Sequence, residues 1–488
     1  MKIIIVFDDT GKKSEIITDI IGNKGFADVV VKKRKLEDYY RNILSKLYPC
    51  AEWKKIRSQF EYAELYKSLE LISEKDVRIL HCFSNYFISD EQQALLSIEK
   101  LLYIDEVFRA INGRKTVLIL FPSVKSYASF SREIISGKKP WDVAKKIKDS
   151  FEIKGFIDIG TVGNFIQCIT GNFDSRYFNS LKEEEYTLTK SSFNKKKIKS
   201  EYCFYHLLPE DMKFWFVMPF NYQENENSAS YMMERLHMTD LSIKWVHGSM
   251  DKEEFEELMD KYFFFFKSRH TKPCTEEEYE KVAYSLYTQK VKDRLTEFKS
   301  LQESFKILSM LSISEEYHID YLANKYFALK EKIEGKNSYL PISVIGHGDP
   351  CFANALYNKS TKILKFIDPK GALTEKELWT NPYYDIAKLS HSICGKYDFF
   401  NNALFEIAVN NDFTYNLQIP VDTNYIEYIE IFKKKVQENG YDWLTVRIYE
   451  VSLFLSMLPL HMDNQFKVFG FILNIKNLLE EIDMLKEP

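Results

Sequence analysis

Residues 339–371 read YLPISVIGHGDPCFANALYNKSTKILKFIDPKG, and no other run constrains the fold as much. An apolar, β-branched segment ends in a polar loop. Two short strand-like pieces then flank the turn NKST. Strand, loop and hairpin must stand side by side. The hairpin therefore carries Asp368 back toward the loop that holds His347, Asp349 and Asn354. In isolation each of these pieces is an ordinary turn between strands.

The surrounding texture places this run in the second of two differently built regions. Up to about residue 170, short apolar runs alternate with helical stretches. KIIIVF, ADVVV, VRILHCF and KTVLILF read as strands, and LEDYYRNILSKLY (36–48) and DEQQALLSIEKLLYI (90–104) as helices. Such alternation predicts an α/β layer with a mainly parallel sheet. Beyond it, EEYTLTKSS (184–192) reads as a strand and KIKSEYCFYHLLP (197–209) as a helix ending at Pro209. FWFVMPF (214–220) and SASYMMERL (228–236) read as two further strands. From about residue 250 helices dominate, interrupted by the hairpin.

Strand, helix, strands, then a helical body holding one hairpin is the order of a two-lobed kinase. Phosphoryl transfer asks a protein for a metal bridging the nucleotide phosphates, a cation on those phosphates and a carboxylate for the attacking hydroxyl. Asp349 is the candidate for that carboxylate. Asn354 stands five residues on, the Asp-to-Asn spacing of the kinase loop H-R-D-L-x-x-x-N, and offers a hard oxygen to Mg²⁺. Asp368, fourteen residues after Asn354, is the second metal ligand. Upstream, Lys190 on a strand is expected to clamp ATP phosphates, with Glu201 on the next helix holding it. Met233, Glu234 and Leu236 mark a hinge whose backbone takes adenine. His347 is expected to anchor the loop rather than act as acid or base.

Bulk properties narrow the class. The chain has 488 residues and a net charge of −4, with 45% hydrophobic and 28% charged residues. More than one ordinary folded domain is expected. The lysine clusters VKKRK (31–35) and NKKKIK (194–199) are short and read as solvated surface, so no nucleic-acid partner is expected. Seven dispersed cysteines without C-x-x-C spacing indicate neither a zinc site nor a dithiol centre and fit a reducing compartment. The apolar runs fall short of the roughly 20 residues of a membrane span. A cytoplasmic protein without an integral membrane segment is the expectation.

HGDPCFANALY, FIDPKGA and YYDIAKLSHSICGKYDFF together resemble the aminoglycoside phosphotransferase and choline kinase group of small-molecule kinases. More narrowly, GFIDIGTVGNF (155–165), RYFN (176–179), LTKSS (188–192) and SMLPLHMDN (456–464) are similar to capsule-cluster proteins that fuse a sugar-nucleotidyltransferase-like domain to such a kinase. The resemblance covers about 155–488. It implies an N-terminal α/β, Rossmann-like, nucleotidyltransferase-like domain (1–172), a kinase-like N-lobe (173–245) and a helical C-lobe (246–488). It implies ATP, Mg²⁺, a small hydroxyl acceptor and contact with other polysaccharide-biosynthesis enzymes. Asp385 matches the family's Asp that braces the catalytic loop. With it, Tyr384, Lys388, His391 and His461 are candidates for lining the acceptor pocket. No G-x-G-x-x-G precedes Lys190.

The first region lacks the parts of a working nucleotidyltransferase. IIIVFDDTGKKSE has one glycine and two acids where a Gly-rich triphosphate loop belongs. Asn85 stands where a metal-binding Asp is expected, and only Asp158 resembles a retained ligand. FDDTG also resembles the phosphatase motif D-x-D-x-T, but Asp8 and Asp9 are adjacent, which fits a strand-end turn. Three readings follow: an ATP-dependent kinase for a sugar, polyol or amino alcohol; a pseudokinase scaffold of a polysaccharide assembly; and a bifunctional nucleotidyltransferase-kinase. Stabilisation by Mg·ATP separates the first from the second.

Overall fold

The first strand, β1 (Lys2–Asp8), buries Ile4 to Phe7 on both faces, as an interior parallel strand requires. In the computed structural model, which describes residues 2–72, 77–101, 103–170, 179–183, 186–337 and 339–485, the chain divides into two compact units, Met1–Phe173 and Asp174–Pro488. The first unit carries a six-stranded sheet. Its further strands are β2 (Glu52–Ile56), β3 (Val77–Phe83), β4 (Phe108–Asn112), β5 (Lys115–Phe121) and β6 (Ser150–Glu152). The order is β2-β1-β3-β5-β4-β6. β1 is parallel to β2 and β3, β6 is parallel to β4, and β5 alone runs against its neighbours. The sheet is therefore mixed, with one reversed strand.

ADVVV does not form the strand expected of it. Residues Phe26–Asp28 make a 3-10 turn and only Val30–Val31 pair, with Arg34–Lys35. The Asp9 carboxylate accepts the Ala27 N–H at 3.0 Å and the Val29 carbonyl accepts the Leu36 N–H at 2.8 Å. These bonds turn the backbone out of sheet geometry, and the valines are buried regardless.

The second unit opens with a four-stranded antiparallel sheet: β7 (Asn179–Glu183), β8 (Thr187–Ser192), β9 (Pro219–Glu224) and β10 (Ala229–Glu234), in the order β7-β8-β10-β9. Of the RYFN segment, 176–178 lie outside the described residues. Helix α1 (Lys195–Leu207) packs on this sheet and is capped by the Asn194 side chain, which accepts the Lys197 N–H. A small apolar layer of Ile198, Ala229, Tyr231 and Met233 lies between them.

FWFVMPF is only partly a strand. Phe214–Met218 links the short helix Glu210–Lys213 to β9, with Trp215 and Phe216 buried. Its backbone instead grips the hairpin of β11 (Ala355–Asn358) and β12 (Ile363–Phe366). The Trp215 carbonyl accepts from Phe366 N–H at 2.7 Å, and Phe366 carbonyl from Val217 N–H at 3.1 Å. The adjacent aromatics Trp215 and Phe216 record burial in this clamp rather than sheet pairing.

The remainder is helical. α2 (Lys252–Ser268) buries Phe263, Phe265 and Phe266 of the YFFFF run, leaving Phe264 exposed. α3 (Lys290–Ser300), α4 (Tyr384–Ile393) and α6 (Gln465–Met484) surround α5 (Trp443–Met457). The stretch Trp443–His461, which includes α5, is long and apolar enough to cross a membrane, with mean hydropathy 1.2, and 83% of it is buried in the unit. It is placed as a core helix.

Candidate active site

Lys190 sits on β8, and its side chain points at α1 across the sheet face. There its ammonium is 2.7 Å from Glu201 Oε2 and 2.9 Å from Asp368 Oδ1. Tyr231 Oη donates to the same Glu201 oxygen at 3.2 Å. Burial disfavours charge on Lys190, but Asp368, Tyr231 and Glu201 outweigh it and hold the lysine well above its ordinary value. Burial also opposes ionisation of Asp368, and Lys190 again overrides it, so that carboxyl is held below its usual range. One cation thus holds two carboxylates of distant chain segments side by side.

Asp368 itself adopts a left-handed backbone, φ 56°, which non-glycine residues reach only when surrounding contacts impose it. Those contacts are present. Ile367 N–H donates to the Asn354 carbonyl at 3.0 Å, Lys370 N–H to His347 at 2.9 Å and Ala372 N–H to Ser200 of α1 at 2.9 Å. Gly371, at φ 85°, lies so close to α1 that a Cβ there would meet Ser200 Oγ at 2.5 Å.

The HGD loop follows strand Ile342–Ile345. His347 is buried and stacks on Phe216, centroids 5.7 Å apart. Its Nδ1 accepts the Asp349 N–H at 3.0 Å, so Nε2 carries the proton and donates to the Ile367 carbonyl at 3.0 Å. Burial lowers its pKa, consistent with a neutral ring. It ties the loop to the Asp368 segment, the anchoring position expected of it. Asn354 Nδ2 donates to the Asp349 carbonyl at 2.9 Å. That bond engages Nδ2 and leaves Oδ1 as the acceptor atom of the amide.

Asp385, at the start of α4, departs from the expectation of an acceptor-lining residue. Its carboxylate accepts His347 N–H at 2.9 Å and Gly348 N–H at 2.8 Å, and pairs with Arg269 at 3.1 Å. Both partners' side chains are 0% exposed, so no acceptor reaches it. Arg269 had no signal in the sequence, being 116 residues from Asp385. It also donates to the Phe266 and Pro382 carbonyls at 3.1 and 3.3 Å.

Of the other acceptor candidates, Lys388 comes to the loop, with Nζ 3.0 Å from Asp349 Oδ1. Tyr384, one turn earlier on the same face of α4, accepts a hydrogen bond from Lys290 at 3.2 Å. His391 and His461 are not on an open wall. Both are buried around Tyr397, His391 at 4.3 Å between ring centroids and His461 at 6.4 Å. Two cations near the loop went unread in the sequence: Lys290, and Lys370 two residues after Asp368.

Of the hinge candidates, Met233 and Glu234 end β10 and Leu236 lies two residues past it. The Met233 side chain packs in the small layer against α1, so only its backbone faces elsewhere. Glu234 is exposed and Leu236 half-buried. The Leu236 carbonyl accepts from Met238 N–H at 2.7 Å, which occupies one of the groups expected to take adenine.

In the first unit, Asp8 is buried and accepts from Tyr62 Oη at 2.6 Å and Thr10 Oγ1 at 2.7 Å, with His81 Nε2 at 3.2 Å. Asp9 accepts from Ser84 Oγ at 2.7 Å. Asp158 holds Asn85 at 3.2 Å and Lys115 at 2.5 Å. Asp8 is thus a core hydrogen-bond acceptor, in keeping with a strand-end turn.

No family model matches the chain, and no curated protein matches it. Solved structures do. A thermostable mutant of aminoglycoside phosphotransferase APH(4)-Ia in ternary complex with ADP and hygromycin B aligns with 67% of this chain and 98% of its own, at 9% identity and TM-score 0.36. The same enzyme's apo form aligns with 64% and 97%, at 10% identity and TM-score 0.34. Plasmodium vivax ethanolamine kinase aligns with 70% and 92%, at 11% identity and TM-score 0.34. At such identity and superposition the chemistry rests on this chain's own geometry.

Proposed function

We propose that the second unit is an ATP- and Mg²⁺-dependent phosphotransferase acting on a hydroxyl of a small molecule. The observation that carries this reading is the Lys190 ammonium held between Glu201 and Asp368, beside a loop in which Asn354 is hydrogen-bonded to Asp349. Two hard oxygen donors, Asn354 Oδ1 and the Asp368 carboxylate, suit Mg²⁺, which takes one or two protein ligands and completes its shell with phosphate and water. Bound there, the ion would neutralise charge on the nucleotide phosphates.

The chain's own residues do the rest. Glu201 fixes Lys190 so that its ammonium meets phosphate oxygens. Asp349 orients the acceptor hydroxyl and takes its proton as the oxygen bonds to the γ-phosphorus and the bond to ADP breaks. Asp385 and His347 hold the loop that presents Asp349. On the same reading, residues 1–172 are a degenerate nucleotidyltransferase-like domain and the product feeds a bacterial surface polysaccharide. Asp349→Ala is the test. ATP-dependent phosphorylation should vanish across a panel of sugars, polyols and amino alcohols while the fold and the Mg·ATP thermal shift persist. Undiminished turnover by this variant refutes the assignment.

A further inference from the structure

Each carboxylate around the loop has a cation beside it, Lys190 being shared between Asp368 and Glu201. Asp368 has Lys190, Asp385 has Arg269 and Asp349 has Lys388. Two more lysines stand beside them. Lys290 Nζ donates to Tyr384 Oη at 3.2 Å and lies 5.6 Å over that ring's centroid. The stem of Lys370 packs on Gly348, which has room for no side chain because a Cβ would stand 2.6 Å from Lys370 Cβ. Neither Lys290 nor Lys370 forms an ion pair with a carboxylate among the described residues. Asp385 acts most strongly on Lys370 electrostatically, then Tyr384 and Glu377, but Asp385 is already paired with Arg269 and Glu377 accepts the Leu373 N–H at 2.6 Å. Burial raises the Tyr384 phenol, yet Lys290 and Lys388 outweigh burial and bring it below its ordinary value. The wall beside Asp349 is therefore in cationic surplus.

Position assigns this surplus to the acceptor rather than to the nucleotide. Lys388 binds the proposed base itself, Tyr384 lies one helical turn from Lys388, and Lys290 reaches Tyr384 from α3. The phosphate clamp Lys190 belongs to the other lobe. Building on the kinase reading above, we propose that the acceptor carries an anionic group, carboxylate or phosphate, near its reacting hydroxyl, and that Lys290, Lys370 and Tyr384 form the subsite for it. Lysine ammoniums with a phenol between them suit a compact anion. An amino alcohol would place a further cation among these lysines.

The test uses the full chain and a matched series: glucose, glucuronate, glucose 6-phosphate and glucosamine, with glycerol, glycerate, glycerol 3-phosphate and 3-amino-1,2-propanediol as the smaller set. The anionic members should be phosphorylated, or should inhibit competitively against acceptor, at least tenfold better than the neutral and amino members. The carboxylate and phosphate arms tell which anion is preferred. Lys290→Glu should raise KM for the preferred anionic member about tenfold or more, the loss of one charge-assisted contact, with a smaller change in kcat. Lys370→Gln should act in the same direction. Preference for neutral or amino members, no effect of any anionic member, or a KM change confined to ATP overturns the proposal. A missing Mg·ATP thermal shift in the unaltered protein overturns the kinase reading as well. A normal shift without anionic preference overturns only the acceptor class.

Discussion

Asp385→Asn tests the bracing of the loop. The substitution keeps shape and removes charge. It leaves Arg269, whose side chain is 0% exposed, with only carbonyl and phenol partners. Breaking one member of a buried pair costs about 3–5 kcal/mol. The retained amide oxygen still accepts one of the two loop N–H groups, so about 3 kcal/mol is expected. With a urea m-value of about 3 kcal/mol/M, the transition of the second unit should move down by about 1 M. Tryptophan fluorescence reads it, since Trp215, Trp245, Trp379 and Trp443 lie in that unit. Arg269→Met should cost a similar amount. The double variant should cost less than the two combined, because each single change already removes the pair, with a coupling of about 2 kcal/mol. In assays, kcat should fall about a hundredfold, since the His347 and Gly348 amides that set Asp349 lose an acceptor. Additive single effects, or a midpoint shift under about 0.3 M, would refute the bracing role.

Two further outcomes are expected. Asp398 is fully buried, and burial pushes its carboxyl up to about 7 from 3.8. A raised folded pKa means that stability is fully present below about pH 4 and is lost as pH rises toward 7. Asp398→Asn should abolish that slope and stabilise the second unit by up to about 4 kcal/mol at pH 8; a slope unchanged in denaturant titrations at pH 5 and pH 8 counts against it. Gly371→Ala must place a Cβ at φ 85° and 2.5 Å from Ser200 Oγ. A cost of about 2–4 kcal/mol and a weakened Mg·ATP thermal shift are expected; wild-type behaviour in both contradicts the close contact.

What could be read from sequence was what lay close in sequence. Asp349, Asn354 and Asp368 sit on one loop and its hairpin, so their spacing carried their geometry. Lys190 and Glu201 belong to a strand and the helix that follows it. Arg269 and Lys290 could not be found this way, because helix packing brings them to the loop from far along the chain. FWFVMPF misled because an apolar aromatic run reports burial, and here Trp215 and Phe216 are buried against the hairpin while only Pro219 onward pairs in the sheet. His391 and His461 misled differently: their helical neighbours are apolar, and the histidines pack among aromatic rings with them. Asp385 was legible as a brace from the resemblance, but its full burial emerged only with Arg269.

The hydrogen bond from Ala372 to Ser200, with Gly371 against the same helix, has a mechanical consequence. The helix bearing Glu201 and the loop bearing Asp368 are fastened to one another by backbone as well as through Lys190. Rotation of that helix away from the sheet would drag the Asp368 loop with it. The cation grip and the Asp368 carboxylate therefore assemble or come apart together, and a regulator that acted on the helix alone would reach both at once.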